Sequence, residues 1–249
     1  MNKEKEETLK GFIDIHSHIL YGIDDGAQNE EMSMKMLQIA GDNGTGQIIL
    51  TPHYKPMHHN ATPVKVQTVM DRLREKIRES GLKIKLYSGN ELYYHSEALT
   101  ELEKKKVLCL ADSSYVLVEF GPADELDYIR NGLYQLLSGG YRPIVAHVER
   151  YRKLLSDTDS VEDLIEMGCY IQINAGSIMG DAGYQTKSFT RRLLKSRLVH
   201  FVASDAHNTD SRGPALKDCA RYISRKYGSD YMMRLLYTNP SKIIANEYI

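Results

Sequence analysis

The sequence predicts an α/β fold with a mostly parallel sheet, of the kind found in TIM barrels. Short apolar runs alternate with segments of helical periodicity along almost the whole chain, and this alternation is typical of βαβ units. Seven runs of strand length can be counted, which favours a barrel, complete or not. No linker, repeat or low-complexity segment interrupts them, so the 249 residues fit one large domain.

The predicted strands are buried apolar runs, and helices fill the intervals between them. The strands cover residues 12–16, 47–50, 84–88, 115–120, 143–146, 170–174 and 199–203. The helix after the second strand has the clearest boundaries, because Thr62 can cap it, Pro63 suits its first turn and Gly81 can end it. The region after residue 215 is predicted to be helical.

Composition and charge argue against several classes of protein. The formal net charge is −1, with 32 basic and 33 acidic residues, so no surface for nucleic acid or anionic membranes is indicated. Three cysteines are too few for a disulfide framework. Residues 1–10 lack the apolar core of a signal peptide, and no later run is long enough to cross a bilayer. We therefore expect a mobile tail over residues 1–10, a single domain over residues 11–249 and a cytoplasmic location.

Candidate metal ligands follow the predicted strands at their carboxyl ends. His16 and His18 lie two residues apart beside the first strand, so their imidazoles point to the same side. Functional groups of α/β barrels collect at the carboxyl ends of the strands, so we expect the polar residues after the other strands to meet this pair. The full set comprises His16, His18, Asp25, His53, Glu91, Glu119, His147, Asp205 and His207. The other histidines fall outside it: His58, His59, His95 and His200.

Nine such groups at one barrel mouth point to a multinuclear metal centre. Taken singly, a histidine can close a layer of the barrel, and a buried carboxylate such as Glu119 can pair with an arginine. Five imidazoles and four carboxylates together are a costly concentration of buried polar groups unless cations bind them. One ion does not need nine ligands, so we infer two or three divalent ions. Mixed imidazole and carboxylate ligands suit Mn²⁺, Fe or Zn better than Mg²⁺ or Ca²⁺.

Two arginines lie close in sequence to candidate ligands. Arg150 follows His147 by three residues, and Arg212 follows His207 by five. A planar guanidinium can bind two phosphate oxygens at once. Arginines beside cations therefore favour hydrolysis of a phosphate ester. The alternative is a salt bridge to a ligand carboxylate, and sequence alone does not separate the two.

Six segments of the chain carry a family resemblance. The PHP (polymerase and histidinol phosphatase) family has motifs that resemble, in order, DIHSHILYGIDDGA, ILTPHY, GNEL, VEF, AHVERY and HFVASDAHN. Within that family the chain is similar to the manganese-dependent protein-tyrosine phosphatases of bacterial capsule and exopolysaccharide operons, the CpsB/YwqE type. The resemblance implies a distorted (β/α)7 barrel with a trinuclear centre at the carboxyl ends of its strands. It also implies that the substrate is an autophosphorylated tyrosine kinase of polysaccharide biosynthesis.

The resemblance also assigns roles to the candidate residues. It implies three metal sites. The first is formed by His16, His18, Glu91 and Asp205. Glu91 also belongs to the second, with Glu119 and His147, and the third is formed by Asp25, His53 and His207. It implies that Arg150 and Arg212 bind the substrate phosphate. Asp205, His207 or a metal-bound water could protonate the leaving phenolate, and the sequence does not choose among them. The family pattern has proline at the position of Val148, so the turn leading to Arg150 departs from that pattern.

Other functions stay open at the level of sequence. A small-molecule phosphatase, such as histidinol-phosphate phosphatase, would use the same scaffold, and a metal-bound regulatory module would need no turnover. Cys219 and Arg225 have the spacing of a cysteine-dependent phosphatase signature. However, Cys219 lies on the apolar stripe of a predicted helix, where no backbone loop could cradle phosphate, so we expect no phosphocysteine. The oligomeric state is also open, and a homo-oligomer is compatible with the sequence.

Overall fold

A computed structural model describes residues 11–155 and 157–249 of the protein. The predicted tail of residues 1–10 lies outside the described residues. None of the helices described is long and apolar enough to cross a membrane. The helices are α1 (Glu30–Asp42), α2 (Pro63–Ser80), α3 (Ala98–Glu103), α4 (Leu126–Ser138), α5 (Thr158–Glu166), α6 (Ala175–Met179), α7 (Gly183–Lys195), α8 (Lys217–Tyr227), α9 (Ser229–Met233) and α10 (Asn239–Ile244).

The strands alternate with these helices, as the apolar runs predict. They are β1 (Phe12–Asp14), β2 (Thr45–Leu50), β3 (His53–Tyr54), β4 (Lys85–Ser88), β5 (Glu91–Tyr93), β6 (Tyr115–Glu119), β7 (Arg142–Val145), β8 (Tyr170–Asn174) and β9 (Phe201–Ala203). Every pairing among them is parallel, in the orders β1-β2-β4 and β3-β5-β6-β7-β8-β9. An isolated parallel bridge between Ser17 and Ala206 joins the segments that follow β1 and β9. The result is a mixed α/β fold built on a curled parallel sheet.

Both faces of this sheet are buried, as expected for parallel strands. In β6, Tyr115 and Leu117 belong to an apolar cluster that includes residues of β2, β7 and β9. Val116 and Val118 alternate with them and belong to a second cluster that contains Leu133 of α4. One face of β6 therefore packs against other strands and the opposite face packs beneath a helix.

Helix α2 begins and ends where the sequence predicts. The hydroxyl of Thr62 accepts a hydrogen bond from Lys65 N at 3.2 Å, which satisfies one free N–H of the first turn. Pro63 is the first helical residue, and Gly81 ends the helix with φ of 75°. That left-handed conformation favours glycine, because a Cβ would crowd the residue's own backbone there.

Two short strands lie beyond the seven that the sequence predicts. The predicted second and third strands end at residues 50 and 88, and the structure confirms both ends. After two further residues in each case the chain forms β3 and β5, which belong to the second of the two strand orders. The sequence does not predict them, because Pro52 has no N–H to donate and Gly89-Asn90 is typical of a turn. These two strands pair with His53 opposite Glu91. This register makes two candidate ligands direct neighbours.

Candidate metal centre

The nine candidate ligands lie together at the carboxyl ends of the strands. Each comes from a strand end or the loop after it: His16 and His18 after β1, Asp25 in the next loop, His53 in β3, Glu91 in β5, Glu119 in β6, His147 after β7, and Asp205 and His207 after β9. The ring centroids of His18 and His207 are 3.9 Å apart, and those of His18 and His53 are 4.4 Å apart. The structure thus brings together every ligand candidate that the sequence indicates.

Backbone hydrogen bonds fix the two ends of the chain against each other at this cluster. Asp205 N donates to His16 O at 2.9 Å, and His18 N donates to Ala206 O at 2.8 Å. Gly26 allows the following loop to approach equally closely, since a Cβ at this position would lie 2.0 Å from His18 O. Residues far apart in sequence therefore share one site.

His16, His18, Glu91 and Asp205 form a fully buried group. The Nε2 atoms of His16 and His18 are 3.2 Å apart. Glu91 Oε2 lies 3.3 and 3.2 Å from these two nitrogens, and Asp205 Oδ1 lies 3.4 and 3.5 Å from them. Ligand atoms about 2.1 Å from one cation lie roughly 3.0–3.4 Å from each other. His16, His18 and Glu91 can therefore each present one ligand atom to a single cation, and Asp205 Oδ1 lies beside both imidazoles.

A second group shares Glu91 with the first. Glu91 Oε1 lies 2.8 Å from His147 Nε2, and Glu119 Oε1 lies 3.6 Å from the same nitrogen. The two oxygens of Glu91 thus face imidazoles of different groups, which is the geometry of a bridging carboxylate.

A third group lies nearer to solvent. Asp25 Oδ1 is 3.3 Å from His53 Nε2 and 3.6 Å from His207 Nε2. The side chain of Asp25 is 66% exposed. His53 also presents Nδ1 to Glu91 Oε2 at 2.9 Å, so this group is continuous with the buried ones.

Acceptor groups fix the orientation of three of the imidazoles. An Nδ1–H that donates to an oxygen leaves the lone pair of Nε2 directed at the cluster, where a cation can accept it. The three Nδ1 contacts are from His16 to Gln172 Oε1 at 3.2 Å, from His18 to Asp24 Oδ2 at 2.7 Å, and from His207 to Asp205 O at 2.9 Å.

Two polar residues of β8 connect several ligands. Gln172 is fully buried, and its Oε1 accepts from His147 N at 2.8 Å as well as from His16. Its Nε2 donates to Asn174 Oδ1 at 2.8 Å, and Asn174 Nδ2 donates to Asp205 Oδ2 at 2.8 Å. The pair thus ties together ligands that follow β1, β7 and β9.

Arg150 and Arg212 both contact Asp205. The Nη2 atom of Arg150 donates to Asp205 Oδ2 at 2.6 Å, and the Nη2 atom of Arg212 donates to the same oxygen at 2.9 Å. Burial would raise the pKa of Asp205, but His16, His18 and Arg150 hold it well below its usual value. The two guanidinium groups also line a cleft of about 780 Å³ beside the cluster, together with Asn174, and their side chains are 39% and 40% exposed. Both alternatives considered for these arginines are therefore compatible, since each bonds to a carboxylate and still faces the cleft.

The backbone is strained at two candidate ligands. Asp205 and His147 have φ of 52° and 33°, a left-handed region that side chains seldom adopt. Asp14 holds the first of these turns in place, because its carboxylate accepts from Ser204 N at 3.1 Å and from Ser204 Oγ at 2.5 Å. Beyond His147, a short 3₁₀ turn over Val148–Arg150 forms with valine where the family pattern has proline.

Several buried polar atoms of the cluster form no hydrogen bond within the described part of the chain. They are Glu91 Oε2, Glu119 Oε2 and His53 Nδ1, although His53 Nδ1 lies 2.9 Å from Glu91 Oε2. Burial, and next the charge of Glu91, raise the pKa of Glu119 to about 7. Unpartnered buried carboxylate oxygens cost free energy unless a cation binds them. The donor set and its spacing therefore fit divalent metal ions.

None of the residues excluded on sequence grounds belongs to a group of possible metal ligands among the described residues. Cys219 of α8 borders the cleft that contains Arg150 and Arg212, but it is buried, and burial raises the pKa of its thiol to about 12, the reverse of an activated nucleophile. His95 pairs with Glu101 at 3.1 Å. His58 and His59 are exposed on the loop after β3.

Sequence reasoning missed three residues that orient the ligands. Asp24 adjoins the candidate ligand Asp25, and no pattern separates the roles of two successive carboxylates. Gln172 and Asn174 did leave a signal, because polar side chains alternate there along an otherwise apolar strand. That alternation marks one polar face of a buried strand.

Comparison with known proteins identifies the family. A family model described as capsular polysaccharide synthesis, CpsB/CapC, matches residues 12–245. The tyrosine-protein phosphatase CpsB of Streptococcus pneumoniae is 36% identical over 242 residues, covering 95% of this chain and 100% of that protein. The tyrosine-protein phosphatase YwqE of Bacillus subtilis is 34% identical over 238 residues, covering 95% and 93%.

Solved structures agree with these relatives. A structure from work on YwqE of B. subtilis and CpsB of S. pneumoniae, described as unique metal-dependent tyrosine phosphatases, superposes with a TM-score of 0.89 at 33% identity, over 95% of this chain and 96% of that one. The histidinol phosphate phosphatase of Lactococcus lactis shares the fold alone, with a TM-score of 0.56 at 15% identity over 88% of this chain and 94% of that one. The chain described here therefore belongs to the CpsB/CapC family of capsular polysaccharide synthesis.

Proposed function

We propose that this protein is a metal-dependent phosphatase that hydrolyses phosphotyrosine in protein substrates. The observation that carries the proposal is the buried carboxylate of Glu91, whose oxygens face imidazoles of His16, His18 and His147. Arg150 and Arg212 line the cleft beside it. Relatives named tyrosine-protein phosphatases align along nearly the whole chain and support this class of substrate.

The cluster would hold two or three divalent ions, of which Mn²⁺ suits the mixed ligands, with Fe or Zn as alternatives. His16, His18, Glu91 and Asp205 would hold one ion. Glu91, Glu119 and His147 would hold a second. Asp25, His53 and His207 would hold a third. Bound there, divalent ions would polarise phosphoryl oxygens and lower the pKa of water.

Arg150 and Arg212 would bind and orient the phosphate. Each guanidinium uses one terminal nitrogen on Asp205 Oδ2, which leaves further N–H groups for phosphate oxygens in the cleft. Donors held in place in this way stabilise the negative charge that develops on equatorial oxygens during phosphoryl transfer. Asp205 would therefore also act as the anchor that positions both arginines.

Asp205 and His207 would serve as metal ligands rather than as proton donors. Asp205 Oδ2 already accepts hydrogen bonds from Arg150, Arg212 and Asn174. These three donors favour the ionised carboxylate, which has no proton to donate. His207 Nδ1 donates to a backbone carbonyl, and its Nε2 faces Asp25. A phenol has a pKa of about 10, so a phenolate can leave with little acid assistance.

We further infer that residues 11–249 form one domain with a distorted (β/α)7 barrel. In this barrel β2 with β3, and β4 with β5, each count as one strand, because only two residues separate the members of each pair. The bridge between Ser17 and Ala206 supports closure of the sheet. A cytoplasmic location and self-association stay predictions.

The proposed protein substrate is an autophosphorylated tyrosine kinase of polysaccharide biosynthesis, in keeping with the family description. Turnover of a phosphotyrosyl peptide and of histidinol phosphate, measured side by side on Mn²⁺-loaded protein, tests the proposal. We expect much higher kcat/KM for the peptide, and loss of both activities after chelation. A preference for histidinol phosphate would favour the small-molecule alternative, and absence of all turnover would favour a regulatory module.

A further inference from the structure

A basic groove adjoins the cleft that contains Arg150 and Arg212. We name it the α8 groove; it is lined by Met179, Asp218, Arg221, Tyr222, Arg225 and Lys226. Its volume is about 430 Å³. Met179 and Asp218 also line the cleft, so the two depressions share a wall. A chain bound in the cleft could therefore continue into the α8 groove.

The positive charge of this groove is only partly neutralised. Arg221 pairs with Asp218 at 3.3 Å, with both side chains well exposed. Over residues 11–155 and 157–249, no carboxylate oxygen lies within 4.0 Å of the charged nitrogens of Arg225 or Lys226. In the described part of the chain, Arg225 and Lys226 thus have no carboxylate partner, and Arg221 has a weak one. Asp218 is the one acidic residue among those that line the groove.

The groove also has a rigid floor. Cys219, Ala220 and Ile223 bury the opposite face of α8, which fixes the positions of the outward side chains. Tyr222 is partly buried, and the guanidinium of Arg191 lies 5.0 Å from its ring centroid. Exposed Met179 supplies an apolar contact at the boundary with the cleft. Such a surface combines charge with apolar area, as binding sites for peptides do.

We propose that the α8 groove binds an acidic segment that flanks the phosphotyrosine of the protein substrate. This inference rests on the proposed function. A peptide whose phosphate lies at Arg150 and Arg212 would pass Met179 and place carboxylates beside Arg225 and Lys226. Charge complementarity of this kind increases association rates and selects among partners.

The chain offers a matched control on the same helix. Lys217 is exposed at the start of α8 and lines a neighbouring depression with Phe12 and Met232. That depression shares Arg221 and Arg225 with the α8 groove, but Lys226 lines the α8 groove and Lys217 does not. Lys217→Glu and Lys226→Glu therefore change the net charge equally, and only Lys226 lies in the α8 groove. None of these residues belongs to the metal cluster or contacts Asp205.

The test compares two phosphotyrosyl peptides, one flanked by Glu on both sides and one flanked by isosteric Gln. We expect wild-type protein to show a kcat/KM about tenfold higher for the Glu peptide at low ionic strength. High salt should reduce this preference, because it screens exposed charges. Lys226→Glu, and more strongly Arg225→Glu with Lys226→Glu, should abolish the preference, whereas Lys217→Glu retains it. Hydrolysis of p-nitrophenyl phosphate should be unchanged in every variant.

Several results would overturn the inference. Equal kcat/KM for the two peptides with wild-type protein would do so without affecting the proposed function, and so would equal effects of Lys226→Glu and Lys217→Glu. Absence of turnover with both peptides, alongside hydrolysis of p-nitrophenyl phosphate, would instead reject the proposed function and the docking site with it. If the double variant does not fold, Lys226→Gln and the salt dependence of wild-type protein decide the question.

Discussion

Replacing Gln172 with Met should weaken metal binding, although Gln172 is not itself a candidate ligand. Met has nearly the same length but neither accepts nor donates a strong hydrogen bond. The substitution removes acceptors from His16 Nδ1 and His147 N, and a donor from Asn174 Oδ1. All of these groups are buried, so they would be left without partners.

The magnitude follows from those three contacts. An unsatisfied buried polar group costs about 1–3 kcal/mol, so the three groups left by Gln172→Met should lower the free energy of unfolding by about 3–9 kcal/mol. Removal of a group that orients a metal ligand lowers metal affinity by about 10–100-fold. Gln172→Glu keeps an acceptor for His16 and His147, so its Mn²⁺ affinity should lie closer to that of wild-type protein.

Calorimetric titration of chelator-treated protein with Mn²⁺, together with urea unfolding of the same samples, measures both effects. Asn239→Leu provides the control, since Asn239 is a buried amide that donates to His200 O at 2.9 Å and lies outside the cluster. It should lower stability but leave Mn²⁺ affinity unchanged. Wild-type Mn²⁺ affinity in folded Gln172→Met would refute the role assigned to this residue.

Three further predictions concern Arg212, Cys219 and the partly buried His200. Arg212→Ala should lower kcat/KM for phosphotyrosyl peptide about 100-fold, because loss of one preorganised hydrogen-bond donor has an effect of this size in other enzymes. The number of bound ions should stay the same. A decrease of less than threefold would show that Arg212 does not bind the phosphate. Cys219→Ala should retain activity within about twofold, because a thiol of raised pKa is not a nucleophile; trapping of a phosphocysteine in wild-type protein would contradict this. Burial lowers the pKa of His200 from 6.5 to about 4. The imidazole therefore takes up a proton at higher pH in the unfolded chain than in the folded one. The free energy of unfolding should fall as the pH drops from 6.5 to 4, by up to about 3 kcal/mol. The free energy of unfolding of His200→Gln, measured by urea titration, should depend less on pH over the same range, and an identical pH dependence would show that His200 is not buried as described.

Much of the fold could be predicted because its signals are local. Apolar runs and helix caps such as Thr62 and Gly81 report the conformation of their own segment, and α2 begins and ends accordingly. The short strands β3 and β5 could not be predicted in this way. Pro52 and Gly89-Asn90 do end β2 and β4, and the strands that follow are held by the pairing of β3 with β5 and of β5 with β6.

The ligands could be predicted because all nine lie at strand ends, where topology alone brings them together. The residues that orient them follow a different rule. Asp24 bonds to His18 while its neighbour Asp25 faces His53, and this difference depends on backbone angles that no pattern of residue types specifies. Contacts such as that of Asn174 with Asp205 depend on how separate strands pack, which becomes visible only in three dimensions.

The most direct test of the metal-dependent chemistry is a reconstitution titration. Protein stripped with chelator would receive increasing equivalents of Mn²⁺ while bound metal and phosphotyrosyl peptide hydrolysis are measured in the same samples. Activity should be absent at first and reach a plateau when two or three ions are bound per chain. Full hydrolysis by protein shown to contain no metal would contradict the proposed role of the cluster.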